Sequence, residues 1–365
     1  MSFDVSPEAL DRCAAMLDRY SEHSVAVKDF YLSGAQMGLH AQGLVGALIG
    51  THDTLRSSMS ERTGLMESIG TNSADSMRAA AHWYRSTDTT VAADLDETYP
   101  GADCNRSAVD EAAVTPGLEL FGDIVDPGEA LTLTSTADDL EPKMGEVEQW
   151  ARTTGDYLSP ASWIRTFVKD LLGTDPIEWL LQWFGGDWRA WAECALTWQA
   201  CGQSVQRISM NVDRADGGLA RVWTGNAADA AIDYVQRLEA ATITESAAFG
   251  NLYEVYRGYA EYVYHSMQIL NDMVNALIDT VTTAAALAGV TAVTGATVAL
   301  LAPFVWGIWE IVNKIMTTVT VVIDAVRMFE AYKAVSDLPA IPATALTMLS
   351  PRGTAPGYRH PETGE

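Results

Sequence analysis

Residues 219–240 read LARVWTGNAADAAIDYVQRLEA, and this stretch decides the architecture. On its N-terminal side, Trp188, Trp191, Ala195, Trp198, Val205 and Val212 recur at the three-to-four spacing of one helical face. On its C-terminal side a second seam runs from Ala228 through Ala231, Val235, Leu238, Thr242, Phe249, Leu252, Tyr256, Tyr259, Val263, Leu270 and Met273 to Leu277. Between the two, Trp223-Thr224-Gly225-Asn226 is turn chemistry: glycine admits a tight backbone, and Asn226 with Asp229 three residues on resembles a helix-capping pair. Asp187 is the expected N-cap of the first of these helices, and Gly217-Gly218 is expected to kink its last turns. Two apolar-seamed helices joined by so short a reversal form an antiparallel hairpin. The second helix alone, at 1.5 Å per residue, is a rod of roughly 75 Å.

An earlier pair follows the same logic. Ser6-Pro7-Glu8 starts a helix with a hydroxyl cap, a proline at the first position and an acid at the positive end of the dipole. Leu10, Cys13, Leu17, Tyr20, Ser24, Val27 and Tyr31 carry its seam. Glycines at 34, 38, 43, 46 and 50 mark a turn. The pattern resumes through Leu48, Leu55, Met59, Met66, Ile69, Met77, Ala80 and Tyr84. Strand signals are nearly absent, the brief alternation of Leu131–Thr134 excepted. The expected fold is all-α: two long antiparallel helical hairpins packed like a four-helix bundle, followed by apolar C-terminal helices.

The expected divisions are a first hairpin over 1–98, an acidic and mostly disordered linker over 99–147, and aromatic-rich connecting helices over 148–186. A second hairpin over 187–282, an apolar helical region over 283–337 and a proline-rich tail over 338–365 complete the chain. Tyr99-Pro100-Gly101 breaks the periodicity at the start of the linker. Thr280 to Trp309 contains no charged residue, which is long enough for a bilayer span, yet Gly289, Gly295 and Pro303 interrupt it. Two readings stay open for this segment: a buried pair of small-residue helices, including burial in a homo-oligomer, and a membrane-seeking segment.

Forty-eight Asp and Glu against 23 Lys and Arg give a formal charge of −25, a sign that repels phosphate backbones, so nucleic acid is not expected as a partner. The four cysteines form no C-x-x-C pair. Cys194 and Cys201, seven apart on one helix, lie on the order of 10 Å from each other, beyond disulfide reach. The six histidines form no H-x-x-x-H or H-E-x-x-H, and neither a G-x-S-x-G elbow nor a phosphate-cradling glycine loop is present. Asp94, Asp96 and Glu97 read as a solvated acidic helix end. Neither catalysis nor a cofactor or metal is expected. Met1–Glu8 has no basic and apolar leader pattern, so no Sec signal peptide is expected.

Two short motifs remain: Trp223-Thr224-Gly225 at the reversal of the second hairpin, and Tyr84-Arg85-Ser86-Thr87-Asp88 at the end of the first. Four residues apart on a helix, Tyr84 and Asp88 would share one face. A W-x-G in one hairpin and a Y-x-x-x-D ending another resemble the bipartite signature of type VII (ESX) secretion substrates. The stretch from Ser57-Ser58-Met59 through Ser76–Ala81 to Asp88 is similar in order and spacing to EspC-type excreted proteins. Residues 187–282 resemble a WXG-family hairpin, and with Gly185-Gly186-Asp187-Trp188 and the Ala/Gly-rich helices beyond they look like the targeting module of large actinobacterial effectors. The resemblance covers about two thirds of the chain and departs from the families in two ways. The first hairpin has Met37-Gly38 where a W-x-G would stand, and both halves share one polypeptide, as in EspB-like substrates. No toxin domain is visible after the module.

The resemblance implies a non-enzymatic protein exported folded to the outside or the cell surface. Tyr84, Asp88, Trp223 and Gly225 would form the composite signal, and a type VII secretion ATPase and a cytoplasmic chaperone would be the partners. A membrane-acting or oligomeric protein using Thr280–Trp309, and a cytoplasmic helical adaptor, are the alternatives.

Overall fold

The structure is a computed structural model that describes residues 3–36, 44–99, 102, 104, 120–140, 188–291, 306, 307, 309–311, 313, 314 and 317. Its elements are β1 (Asp4–Val5), α1 (Pro7–Gly34), α2 (Leu44–Ser86), α3 (Thr89–Thr98), a 3-10 turn (Pro127–Leu131), α4 (Ala137–Leu140), α5 (Trp188–Val222), β2 (Trp223–Thr224) and α6 (Asn226–Thr291). The chain is all-α in its described part apart from the two-residue strands. The apolar C-terminal helices fall largely outside the described residues, as do Asp187 and the connecting segment before it.

Helix α1 forms as its residues dictate. Ser6 Oγ accepts from the Ala9 amide at 3.4 Å, and Pro7 occupies the first turn. All seven predicted seam residues of α1 are buried. They meet α2 in antiparallel register, with Tyr31 bonded to Thr63 at 2.9 Å and Ser21 to Thr71 at 3.0 Å. Arg78 with Asp18 and Arg85 with Asp11 continue that register on the surface. Helices α5 and α6 pair likewise: Trp191 stacks with Tyr259, Ser246 Oγ donates to Gly202 O, and Gln236 donates to Asp216. The α6 seam is buried from Ala228 to Tyr259; the side chains of Val263, Leu270, Met273 and Leu277 lie outside the described ones. At 66 residues, α6 is longer than its seam predicts, about 100 Å end to end.

The two hairpins share one apolar core. Where α2 faces α6 and the reversal before it, their partners recur at steps of ten or eleven residues. His52 bonds to Tyr256 at 2.7 Å, Arg62 to Glu245 at 2.7 and 2.9 Å, and Ser73 to Tyr234 at 2.8 Å. Tyr84 meets Trp223. One side of this ladder is spaced by elevens (256, 245, 234, 223) and the other nearly so (52, 62, 73, 84). Eleven residues make three turns of about 3.67, which keeps a face aligned along a nearly straight helix. The inner rungs are polar and buried. Arg62 and Glu245 have side-chain exposures of only 4% and 0%, and burial holds the Glu245 carboxyl above its ordinary range even though Arg62 pulls it down. Such a pair favours one register because mispairing strands a charge in the core.

Three sequence expectations change here. Gly217-Gly218 does not interrupt α5, which runs unbroken to Val222. Gly218 instead makes room for Phe121, whose Cε1 would lie 2.7 Å from an added Cβ. The 99–147 segment, expected to be disordered, is seated on the bundle over 120–131. Arg19 donates to Phe121 O at 2.5 Å and to Asp123 at 3.0 Å. Asn211 exchanges hydrogen bonds with the backbone of Ile124 and Val125, and Arg207 donates to Asp126 O and Glu129. Leu131–Thr134 is not extended pairing; its first residue closes the 3-10 turn, and the true strands are β1 and β2.

Candidate functional site

Trp223 lies where α5 reverses into α6. Its backbone pairs with Val5, and Thr224 pairs with Asp4, so the N-terminal residues form a short antiparallel ladder over the reversal. Ser6 N adds a bond to Val222 O at 2.9 Å. The indole has no exposed surface. Tyr84, at the end of α2, meets it edge to face at 5.7 Å and 77°. Trp83 and Phe3 flank Tyr84 at 4.9 and 6.0 Å. The four rings form one cluster in the geometry aromatic quadrupoles favour. Residues 139 positions apart in the chain (223 minus 84) are thus direct neighbours.

Gly225 is required by its backbone, with φ at +129°, a region that side chains disfavour. It is required again by a neighbour: an added Cβ would meet Asp96 Oδ2 at 2.3 Å. That carboxylate is the cap of α6. Its two oxygens accept from the amides of Asn226 at 2.7 Å and Ala227 at 2.9 Å, placing a negative charge on the positive end of a long helix. The expectation that Asn226 caps α6 is corrected accordingly. Its side chain points the other way, donating to the carbonyls of Asp96 and Tyr99 at 3.0 and 2.9 Å. The cap of α6 therefore comes from α3, a different hairpin.

Tyr84 and Asp88 do not share a helical face as their spacing predicts. Helix α2 ends at Ser86, and Asp88 is the N-cap of α3, accepting from Thr90 N at 2.9 Å. Asp88 is exposed, whereas Tyr84 retains 8% exposure. The structure therefore brings Tyr84, Trp223 and Gly225 to one corner, with Asp88 on the rim and Trp223 sealed beneath. Thr280 and Trp309 lie far along the chain. Thr280 is half-buried on α6, and Trp309 is 50% exposed beside Trp306. No helix of the described residues is long and apolar enough to cross a membrane.

Asp96 is the residue the sequence reading missed. Its neighbours Asp94 and Glu97 are solvated as expected, whereas Asp96 is buried. The available signal was helical phase: Ala92 lies four residues before Asp96 and Tyr99 three after, a face of small and aromatic side chains.

Among the described residues, no group of three or more His, Cys, Asp or Glu could hold a metal ion. Burial pushes the Cys13 and Cys194 thiols up to about 12, far from nucleophilic thiolates. His52 is held below its ordinary value by burial. Its Nε2 faces the Ala35 carbonyl at 2.9 Å, so the neutral ring donates there and accepts from Tyr256 O–H. No family model matches the chain, and neither a curated protein nor a solved structure matches it.

Proposed function

We propose that this chain is a non-enzymatic substrate of a type VII secretion system, exported as a folded bundle. The corner of Tyr84, Trp223 and Gly225, with Asp88 at its rim, would be its recognition element. The observation that carries the reading is the ring contact between Tyr84 and Trp223, which joins the W-x-G of one hairpin to the Y-x-x-x-D of the other. In this reading the secretion ATPase meets the Asp88 carboxylate and the small part of Tyr84 that stays exposed. Trp223 acts from below by fixing the Tyr84 ring, and Gly225 by letting Asp96 approach. Signal and fold are then one object: the element exists only when both hairpins are docked.

The test separates recognition from folding. Asp88→Asn keeps a capping side chain on α3 and removes the charge; Tyr84→Phe keeps the ring and removes the hydroxyl. The expected result is a double variant with unchanged circular dichroism and thermal midpoint that no longer reaches the culture filtrate of the native host. Normal export of that folded variant would end the assignment. Absence of the wild-type protein from the filtrate would favour the cytoplasmic adaptor instead.

A second reading, action at a membrane or in an oligomer after export, is favoured by one observation: Trp306 and Trp309, stacked 5.5 Å apart, are 66% and 50% exposed. Flotation of the full chain with liposomes tests it, co-flotation supporting a membrane role for the Thr280–Trp309 segment.

A further inference from the structure

The face of the second hairpin turned away from the first carries a groove of about 450 Å³ between α5 and α6. Met210 and Ile243 line it, 43% and 49% exposed, and Ala247 extends its apolar floor. Asp213 and Glu239 line it too. Its lining positions on α5 fall at i, i+3, i+4 and i+7, and those on α6 at i, i+4, i+7 and i+8, so the groove follows about two turns of each helix.

The electrostatics of the acidic residues lack compensation. Partial burial, then repulsion from Asp213 and Asp216, pushes the Glu239 carboxyl up to about 6, with no cation offsetting it. Burial and Asp216 likewise raise Asp213. Two of the arginines near the groove are engaged elsewhere: Arg237 pairs with Asp233, and Arg207 with Glu129 and the Asp126 carbonyl. Two large apolar side chains left open beside unneutralised carboxylates present a surface with two demands, an apolar ridge and a positive charge.

We infer that this groove is a docking site for an amphipathic helix of a second polypeptide, which inserts an apolar residue between Met210 and Ile243 and sets Lys or Arg against Asp213 and Glu239. Helix-in-groove binding reads such anchors at i, i+3, i+4 and i+7, matching the two-turn length. A methionine wall adapts to the inserted side chain. A second copy of this chain is a poor occupant, since its formal charge is also −25 and it brings acids to acids. The inference is independent of the export reading, because the groove shares no residue with the Tyr84–Trp223 corner.

The experiment uses the full chain and a synthetic, capped peptide of about fourteen residues, with leucines at the helical anchor spacing and lysines flanking them. A scrambled peptide of identical composition controls for the net charge of the protein. By fluorescence anisotropy near physiological salt, the patterned peptide should bind about tenfold or more tighter than the scrambled one. Ile243→Ser and Glu239→Lys should each remove most of that difference while the protein stays folded, with a cooperative melt no lower than that of the wild type for Glu239→Lys. Equal binding of the two peptides, or an undiminished difference in both variants, would overturn the site. Sedimentation provides the last arm: a wild-type dimer that Ile243→Ser dissociates would assign the groove to self-association and reject the cationic helix.

Discussion

At one end of the bundle Trp198 packs against Tyr31 at 5.2 Å, Phe249 at 6.0 Å and Tyr256 at 6.1 Å. Trp191 joins them through Tyr256 and Tyr259. At the other end Trp223 meets the first hairpin through the ring of Tyr84. The rest of that closure is made of directional bonds: the β1–β2 ladder, the Asp96 carboxylate on the α6 amides, and Asn226 on the α3 carbonyls. The aromatic end relies on buried ring area, which is non-directional and tolerant of small shifts. The corner relies on geometry, which fails locally and abruptly when one partner is changed. A surface that must present a fixed arrangement to another protein is better built the second way, because its atoms have few alternative positions.

That contrast can be broken at three depths. The largest effect belongs to the aromatic end: Trp198→Ala should lower the unfolding free energy by about 3–5 kcal/mol, measured by urea denaturation followed by circular dichroism. At the corner, Asp96→Ala should cost about 1–3 kcal/mol, the penalty for a buried amide at Ala227 and a half-buried one at Asn226 losing a charged acceptor. Its signature is spatial: hydrogen exchange should quicken at the Asn226 and Ala227 amides and stay slow around Trp198. If Asp96→Ala instead loosened both ends equally, the corner would not be a separate structural unit.

The smallest effect lies between the ends, at Glu239. Its carboxyl is held at about 6 in the folded chain against an ordinary value of 4.5, so the folded state binds that proton more tightly than the unfolded one. The resulting stabilisation is present below pH 4.5 and is lost as pH rises through about 6. Glu239→Gln should flatten this part of the stability profile and raise stability at pH 7 by under about 1 kcal/mol, since solvent screens a half-buried group. A thermal-melt series across that pH range checks it.

The four long helices were readable because their seams repeat: each turn restates which face is buried, and α1 matches residue for residue. What periodicity could not carry is docking that happens once. Phe121 enters a notch made by Gly218, and nothing in an acidic, glycine-rich stretch announces that contact. The same holds for β1, two residues whose pairing exists only because the α5–α6 reversal lies beside them. At the site, Trp223 and Gly225 stand out as turn residues, but Asp96 is one carboxylate among several, told apart only by the phase of a short helix. The Tyr84–Asp88 spacing misled because four residues imply a shared face only while the helix continues, and α2 stops at Ser86.

The eleven-residue step between α2 and α6 sets a rule for how this architecture can change in length. Removing or adding three whole turns on both helices takes out or inserts one rung, about 16 Å of rod, and returns every remaining partner to its mate. An increment far from whole turns, such as about two or five residues, rotates one strip of side chains away from the other and turns Arg62 away from Glu245. A bundle of this kind can therefore be shortened or lengthened by whole-turn units on both helices at once, with the Trp223 end carried along unchanged like the head of a telescoping mast.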